Sequence, residues 1–201
     1  KIMEEKLTKE LAEKLMKIKG ECRGICLKTD WESILKREGK EGLKKLEEKM
    51  AELGYPIKYE TIKTMDFYPL GLDVISILAI KEIFNYDEKD LEELGALAVK
   101  SSLILRIFLK YFFSLSLLAK QAPEIWRKHY TVGDLEVSEI NEKEKYIIIR
   151  LKDFSSHPSF CVTLKGYFSQ ITKMATRRPV TCQETKCTFK GDEYHEFLLK
   201  W

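Results

Sequence analysis

Four side chains near the C-terminal end of the chain have the chemistry of a metal site. Cys161 stands apart, Glu184 and Cys187 are separated by two residues, and His195 follows eight positions later across a Gly191-Asp192 turn. Two thiols, a carboxylate and an imidazole are all competent zinc ligands, and four of them close a tetrahedron. A hairpin can set Cys187 and His195 on facing arms. Cys161 falls in the first turn of its own helix, where the helix dipole favours thiolate. One point resists: residues three apart in a regular strand face opposite ways, so Glu184 and Cys187 meet one ion only across a bulge or at a strand end. The same residues also admit a plainer reading, with Cys161 a small buried hydrophobe, Glu184 a solvated strand residue and His195 a surface group. Cys182, in the same strand, is an alternative to Cys187 as ligand, or its partner in a redox switch.

Other reactive residues are less specific. Cys22 and Cys26 have three residues between them, which matches neither a thioredoxin Cys-x-x-Cys nor a zinc knuckle, and they read as incidental thiols. The aromatics Phe67, Tyr68, Phe108, Tyr111, Phe112 and Trp126 are core residues one by one and, as a group, candidates to line an apolar ligand pocket. His129 and His157 have no acid or nucleophile at motif spacing and read as ordinary polar residues. Arg177 and Arg178, before Pro179, read as a turn with a solvated face. There is no Gly-rich phosphate loop, no Gly-x-Ser-x-Gly elbow and no His-Glu-x-x-His, so the chain leans away from an enzyme.

The elements that must position these residues are legible from periodicity. Residues 4 to 19 carry Leu7, Leu11, Leu15 and Ile18 at helical spacing and form an amphipathic helix ending at Gly20. Helices are expected from the Thr29-Asp30 cap to Gly39, from Lys40 to Leu53, from Pro69-Leu70-Gly71 through Phe84, and from the Asp87 cap to about Val99. Ile57 to Met65 reads as a short strand or extended arm. A long apolar helix follows, with Pro123 as a kink or break before Trp126 and His129. After residue 131 the pattern changes to strands at Leu135–Val137 and Tyr146–Leu151, a helix opened by Ser155, Ser156 and Pro158, and a final hairpin from Val180 to Leu199. This is an α+β fold, a helical N-terminal two-thirds packed on a small antiparallel sheet.

Composition narrows the class. With 201 residues, 44% hydrophobic and 33% charged, the chain is one folded domain of 25–201 preceded by a helical segment of 1–24. Charges of both signs are interspersed and sum to +3, which argues against direct nucleic-acid binding. Leu103 to Ala119 is the most apolar window, yet it is shorter than the ~20 residues a bilayer needs and holds Arg106 and Lys110, so no membrane span is expected. Five cysteines, an odd number, with no apolar leader, point to reduced thiols and the cytoplasm. The start at Lys1 suggests a piece of a longer protein.

Two stretches carry a family resemblance. Lys165-Gly-Tyr-Phe-Ser-Gln-Ile followed by Glu184-Thr-Lys-Cys187-Thr-Phe-Lys-Gly191-Asp192-Glu193-Tyr194-His195-Glu196-Phe197 resembles the C-terminal signature of the vinyl-4-reductase domain family, and Pro69-Leu-Gly-Leu72 is similar to its upstream part. The resemblance covers about residues 25 to 201. It places the chain in the superfamily of haem nitric-oxide sensors and TRAPP tethering subunits, whose relatives include phenol- and toluene-sensing transcription activators. It implies a dimeric ligand-binding or sensor domain with a structural zinc at Cys161, Glu184, Cys187 and His195, His standing where the family has Cys. It further implies a cavity for a hydrophobic small molecule, and an output domain or partner protein elsewhere. The alternatives are an enzyme or accessory acting on a vinyl tetrapyrrole or other aromatic, and a ligand-free scaffold like the TRAPP subunits. Haem is not expected, because a buried helical His and the Tyr-x-Ser-x-Arg clamp of the nitric-oxide sensors are both missing from the sequence.

Overall fold

In the computed structural model, which describes residues 6–101 and 114–201, helices occupy the N-terminal part and a four-stranded antiparallel sheet the C-terminal part, the α+β arrangement expected. The described elements are α1 (Lys9–Met16), β1 (Glu21–Arg23), α2 (Gly24–Glu52), β2 (Phe67–Pro69), α3 (Leu70–Phe84), α4 (Glu88–Ser101), α5 (Leu115–Arg127), β3 (Asp134–Asn141), β4 (Tyr146–Lys152), α6 (Pro158–Thr176), β5 (Thr181–Lys186) and β6 (His195–Lys200). The sheet runs in the order β3-β4-β6-β5, and β1 pairs with β2 as a separate two-stranded ribbon. Most of the expected apolar helix, residues 102–113, lies outside the described residues.

Local chemistry explains the boundaries. Gly39, at φ 70°, breaks α2 into the two helices the sequence anticipates. The first half starts at Gly24, not at Thr29, because the extended Arg23 ends β1 directly at the helix. Asp30 is therefore an interior, buried helix residue and not a cap. Asp87 and Asp90 satisfy each other's backbone N–H groups at the start of α4, and Ser114 accepts from the Leu117 N–H to open α5. Pro123 sits within α5. Where an extended arm was expected, Tyr59–Thr61 forms a 3-10 turn, and the Tyr59 hydroxyl lies 2.7 Å from Ser76 Oγ in the core.

The main core lies between helices and sheet, with a small separate cluster of Val99, Leu118 and Ile125. Alternation along β4 turns Ile147, Ile149 and Leu151 inward, and on β6 the same period turns His195, Phe197 and Leu199 inward. Leu164 and Phe168 of α6 pack on this face. Helices α4 and α6 cross at two glycines: a Cβ on Gly95 would stand 1.8 Å from the Thr163 carbonyl oxygen, and one on Gly166 1.8 Å from that of Glu92. Leu7, Ala12 and Leu15 of the N-terminal segment are buried in the same core, with α1 against α3. No helix among the described residues is long and apolar enough to cross a membrane.

Candidate metal centre and ligand cleft

Cys161, Glu184, Cys187 and His195 come together although three separate elements hold them. Their ligating atoms all lie within 4.8 Å of one another. Cys161 sits in the first turn of α6, whose N-terminus is capped by His157 accepting from the Ser159 N–H. The spacing difficulty at Glu184 and Cys187 is met twice: the β5–β6 register shifts between Glu184 and Lys186, and Cys187 lies just past the end of β5, leading a 3-10 turn. The Asp192 carboxylate accepts from the Cys187 N–H at 2.8 Å and holds that turn. Cys182 lies two residues before Glu184 on the same face of β5, outside the cluster.

The separations match tetrahedral edges. Cys161 Sγ is 3.7 Å from His195 Nδ1, and Nδ1 is 3.1 Å from Glu184 Oε1. Zinc bonds of about 2.3 Å to sulfur and about 2.0 to 2.2 Å to nitrogen and oxygen give edges on the order of 3.5 Å.

The second nitrogen of His195 decides what faces the cluster. Nε2 lies 3.0 Å from the Phe154 carbonyl and 2.9 Å from Thr188 Oγ1, so a proton on Nε2 finds an acceptor there in the tautomer that frees Nδ1 to ligate. Nδ1 then presents its lone pair to a carboxylate oxygen and two sulfurs in a site where His195 is 1% exposed. The four groups together have the donor chemistry that one shared cation requires. Burial first, then the Glu184 charge, pushes the Cys161 thiol up, and burial does the same to Cys187. Burial also acts to raise Glu184, but hydrogen bonds from His195 and Cys187 outweigh it and its carboxyl ends below the usual range. A divalent ion reverses this logic for the thiols by binding them as thiolates. All four donors belong to the protein, so a tetrahedral ion here has no open position for water.

The aromatics divide. Trp126 is buried, donates Nε1–H to the Val132 carbonyl and stacks on Tyr130 at 4.3 Å. It borders an apolar space of about 480 Å³ between α5, β3, β4 and α6. Tyr68 is half-buried, its hydroxyl accepting from the Lys63 N–H, and Phe67 is 38% exposed beneath the Arg23 guanidinium. Phe108, Tyr111 and Phe112 lie outside the described residues.

A second cleft, about 580 Å³ counting its open mouth, lies between α2, α3, α4 and α6. Apolar residues line most of it, with three polar groups that sequence reasoning passed over: Asp30, Asp73 and His129. Asp73 had a readable signal, as the one charged residue between Leu70 and Ile80. His129, buried just past α5, bonds through Nδ1 to the Ile125 carbonyl at 2.9 Å, which puts that proton on Nδ1.

Burial pushes Asp73 up to about 7 and Asp30 well above the normal range. From about pH 4 to 7 the unfolded chain therefore ionises before the folded one, and Asp73 lowers stability by up to about 1.4 kcal/mol per pH unit. His129, held down by burial, acts in the opposite direction in this range. The difference between Asp73→Asn and wild type isolates the carboxyl: urea unfolding should show the variant gaining relative stability from pH 4 to 7. A constant difference contradicts the burial argument.

No family model matches the chain. An uncharacterized protein of Methanocaldococcus jannaschii is 41% identical over 90 residues, covering 41% of this chain and 50% of that protein, so the match spans about half of the relative's length. An H-NOX protein from S. oneidensis, solved in the Fe(II)NO ligation state, superposes with a TM-score of 0.68 at 10% identity, over 89% of this chain and 98% of that one. The chain has the H-NOX fold. An oxygen-binding H-NOX domain related to soluble guanylate cyclases, solved as its oxygen complex, gives 0.62 at 11% identity over 89% of this chain and 94% of that one.

These similarities correct the expectation about haem. The H-NOX structures that share the fold were solved with Fe(II)NO or oxygen, and another concerns haem redox potential and porphyrin distortion, so missing motifs do not exclude haem from this fold. The sequence reading also passed over His129, which is 4% exposed just past α5 and lines the cleft. An imidazole with one nitrogen fixed on a carbonyl is a competent axial ligand for haem iron.

Proposed function

We propose that this chain is a zinc-braced ligand-binding or sensor domain of the vinyl-4-reductase type. One observation carries the reading: four donors from three elements converge within 4.8 Å, with His195 Nε2 placed 3.0 Å from the Phe154 carbonyl. Zinc is structural here. It ties the start of α6 to the β5–β6 hairpin, and α6 forms one wall of the cleft bounded by α2, α3 and α4. The ligand is a mostly apolar, aromatic small molecule seated in that cleft, whose lining includes Ile77, Leu94, Phe160 and Leu164.

In this reading residues 25–201 are the binding module, with 1–24 as a helical extension. The protein works as a cytoplasmic homodimer, passing ligand occupancy to an output domain or partner through a change in packing. The free state of all five cysteines fits a reducing compartment.

Metal analysis together with native mass spectrometry of protein purified without added metal tests the proposal. One zinc per chain and a co-purifying small molecule are expected. Metal-free protein of native stability contradicts it. An absorbance scan of the same sample reads haem directly.

A further inference from the structure

We propose that the cleft between α2, α3, α4 and α6 recognises an organic ammonium compound, its amine held by Asp30 and Asp73 and its apolar body by Ile77, Leu94, Phe160 and Leu164. The inference rests on the ligand-binding reading above and specifies the chemistry that the site takes.

Asp30 and Asp73 reach one cleft from two helices, and both are more than nine-tenths buried. Each carboxyl lies within electrostatic reach of the other. Oδ2 of Asp30 and Oδ1 of Asp73 have no hydrogen-bond partner among the described residues. Buried carboxyls are ordinarily paired or fully bonded, and an open acceptor on each of two neighbours is a vacancy for a donor.

Among the described residues lining the cleft, no side chain supplies a permanent cation. Nearby titratable groups are the Cys22 and Cys26 thiols and the Tyr59 and Tyr130 phenols, and burial pushes both phenols up toward the neutral form. No lysine or arginine is among the described lining residues, and burial holds His129 toward its neutral form. A divalent metal is a poor match, since the one described group of three or more ligating residues in metal range is the zinc cluster. An ammonium group offers several N–H donors and one positive charge. Burial keeps the Asp30 carboxyl protonated, so the ammonium meets one net negative charge at the pair and leaves a compensated ion pair in an apolar cleft.

The test titrates zinc-loaded protein at pH 8 with 2-phenylethylamine and with 2-phenylethanol, its uncharged counterpart, by calorimetry. The amine is expected to bind at least ten-fold more tightly than the alcohol, with no net proton exchanged with the buffer. Asp73→Asn and Asp30→Asn should each weaken the amine at least ten-fold while keeping zinc content. Neither should lower the melting temperature of the unliganded protein, as loss of a purely structural residue would. Equal binding of alcohol and amine, wild-type amine affinity in both variants, or a melting loss in both overturns the ammonium inference while leaving the ligand-binding reading in place. If neither compound binds at millimolar concentration, the inference and that reading fall together.

Discussion

Cys187→Ala is expected to strip the zinc from the folded protein and lower its melting temperature by on the order of 10 °C. The variant leaves Cys161, Glu184 and His195 as buried polar groups around a three-ligand site. Removing one member of a compensated buried charge cluster costs about 3 to 5 kcal/mol, and each kcal/mol moves the midpoint of a domain this size by roughly 2 to 4 °C. Cys182→Ala is the matched control. Cys182 sits beside Lys165 and Ser169 and outside the donor cluster, so its loss should leave one zinc per chain and a nearly unchanged midpoint. If Cys182→Ala loses the metal and Cys187→Ala keeps it, the ligand set is wrong. Differential scanning calorimetry with metal analysis on the same samples reads both.

Gly166→Ala carries the second large effect, and it acts through packing alone. The added Cβ would meet the Glu92 carbonyl oxygen at 1.8 Å, where ordinary contacts begin near 3.4 Å. Both clashing atoms are tied to backbone, so no rotamer change relieves them and α4 must move away from α6. Overpacking ordinarily costs about 1 to 3 kcal/mol, and a backbone-on-backbone clash belongs at or above the upper end. A midpoint fall of roughly 10 °C is expected. Gly95→Ala clashes with Thr163 from the other side of the crossing and should behave alike. The two should be far from additive, since one separation of the helices relieves both. An unchanged midpoint for either variant would mean that the helices do not cross this closely.

Most element types were legible because each has a local cause. Gly39 and Gly54 end helices, Asp87 opens one, and strict alternation marks Tyr146 to Leu151 as a half-buried strand. The four donors were legible as residue types, and the bulge they needed lies between Glu184 and Lys186. What hid the cleft was long-range packing. Asp30 follows Thr29 in a pattern that imitates a helix cap, and only the pairing of Glu21–Arg23 with Phe67–Pro69, more than forty residues on, starts the helix early and buries it. His129 looked like a polar residue beyond a proline, yet Pro123 is accommodated within α5 and the chain carries the imidazole into the core. The absence of haem was inferred from two missing motifs, and the shared H-NOX fold corrects it.

X-ray absorption at the zinc edge, on protein purified without added metal, tests the central claim most directly. Four-coordinate zinc is predicted, with two sulfur and two nitrogen or oxygen neighbours, Zn–S about 2.3 Å and Zn–N or Zn–O about 2.0 to 2.2 Å, and with the edge signal lost in Cys187→Ala. An edge signal at background level, or a six-coordinate all-oxygen shell, would contradict it.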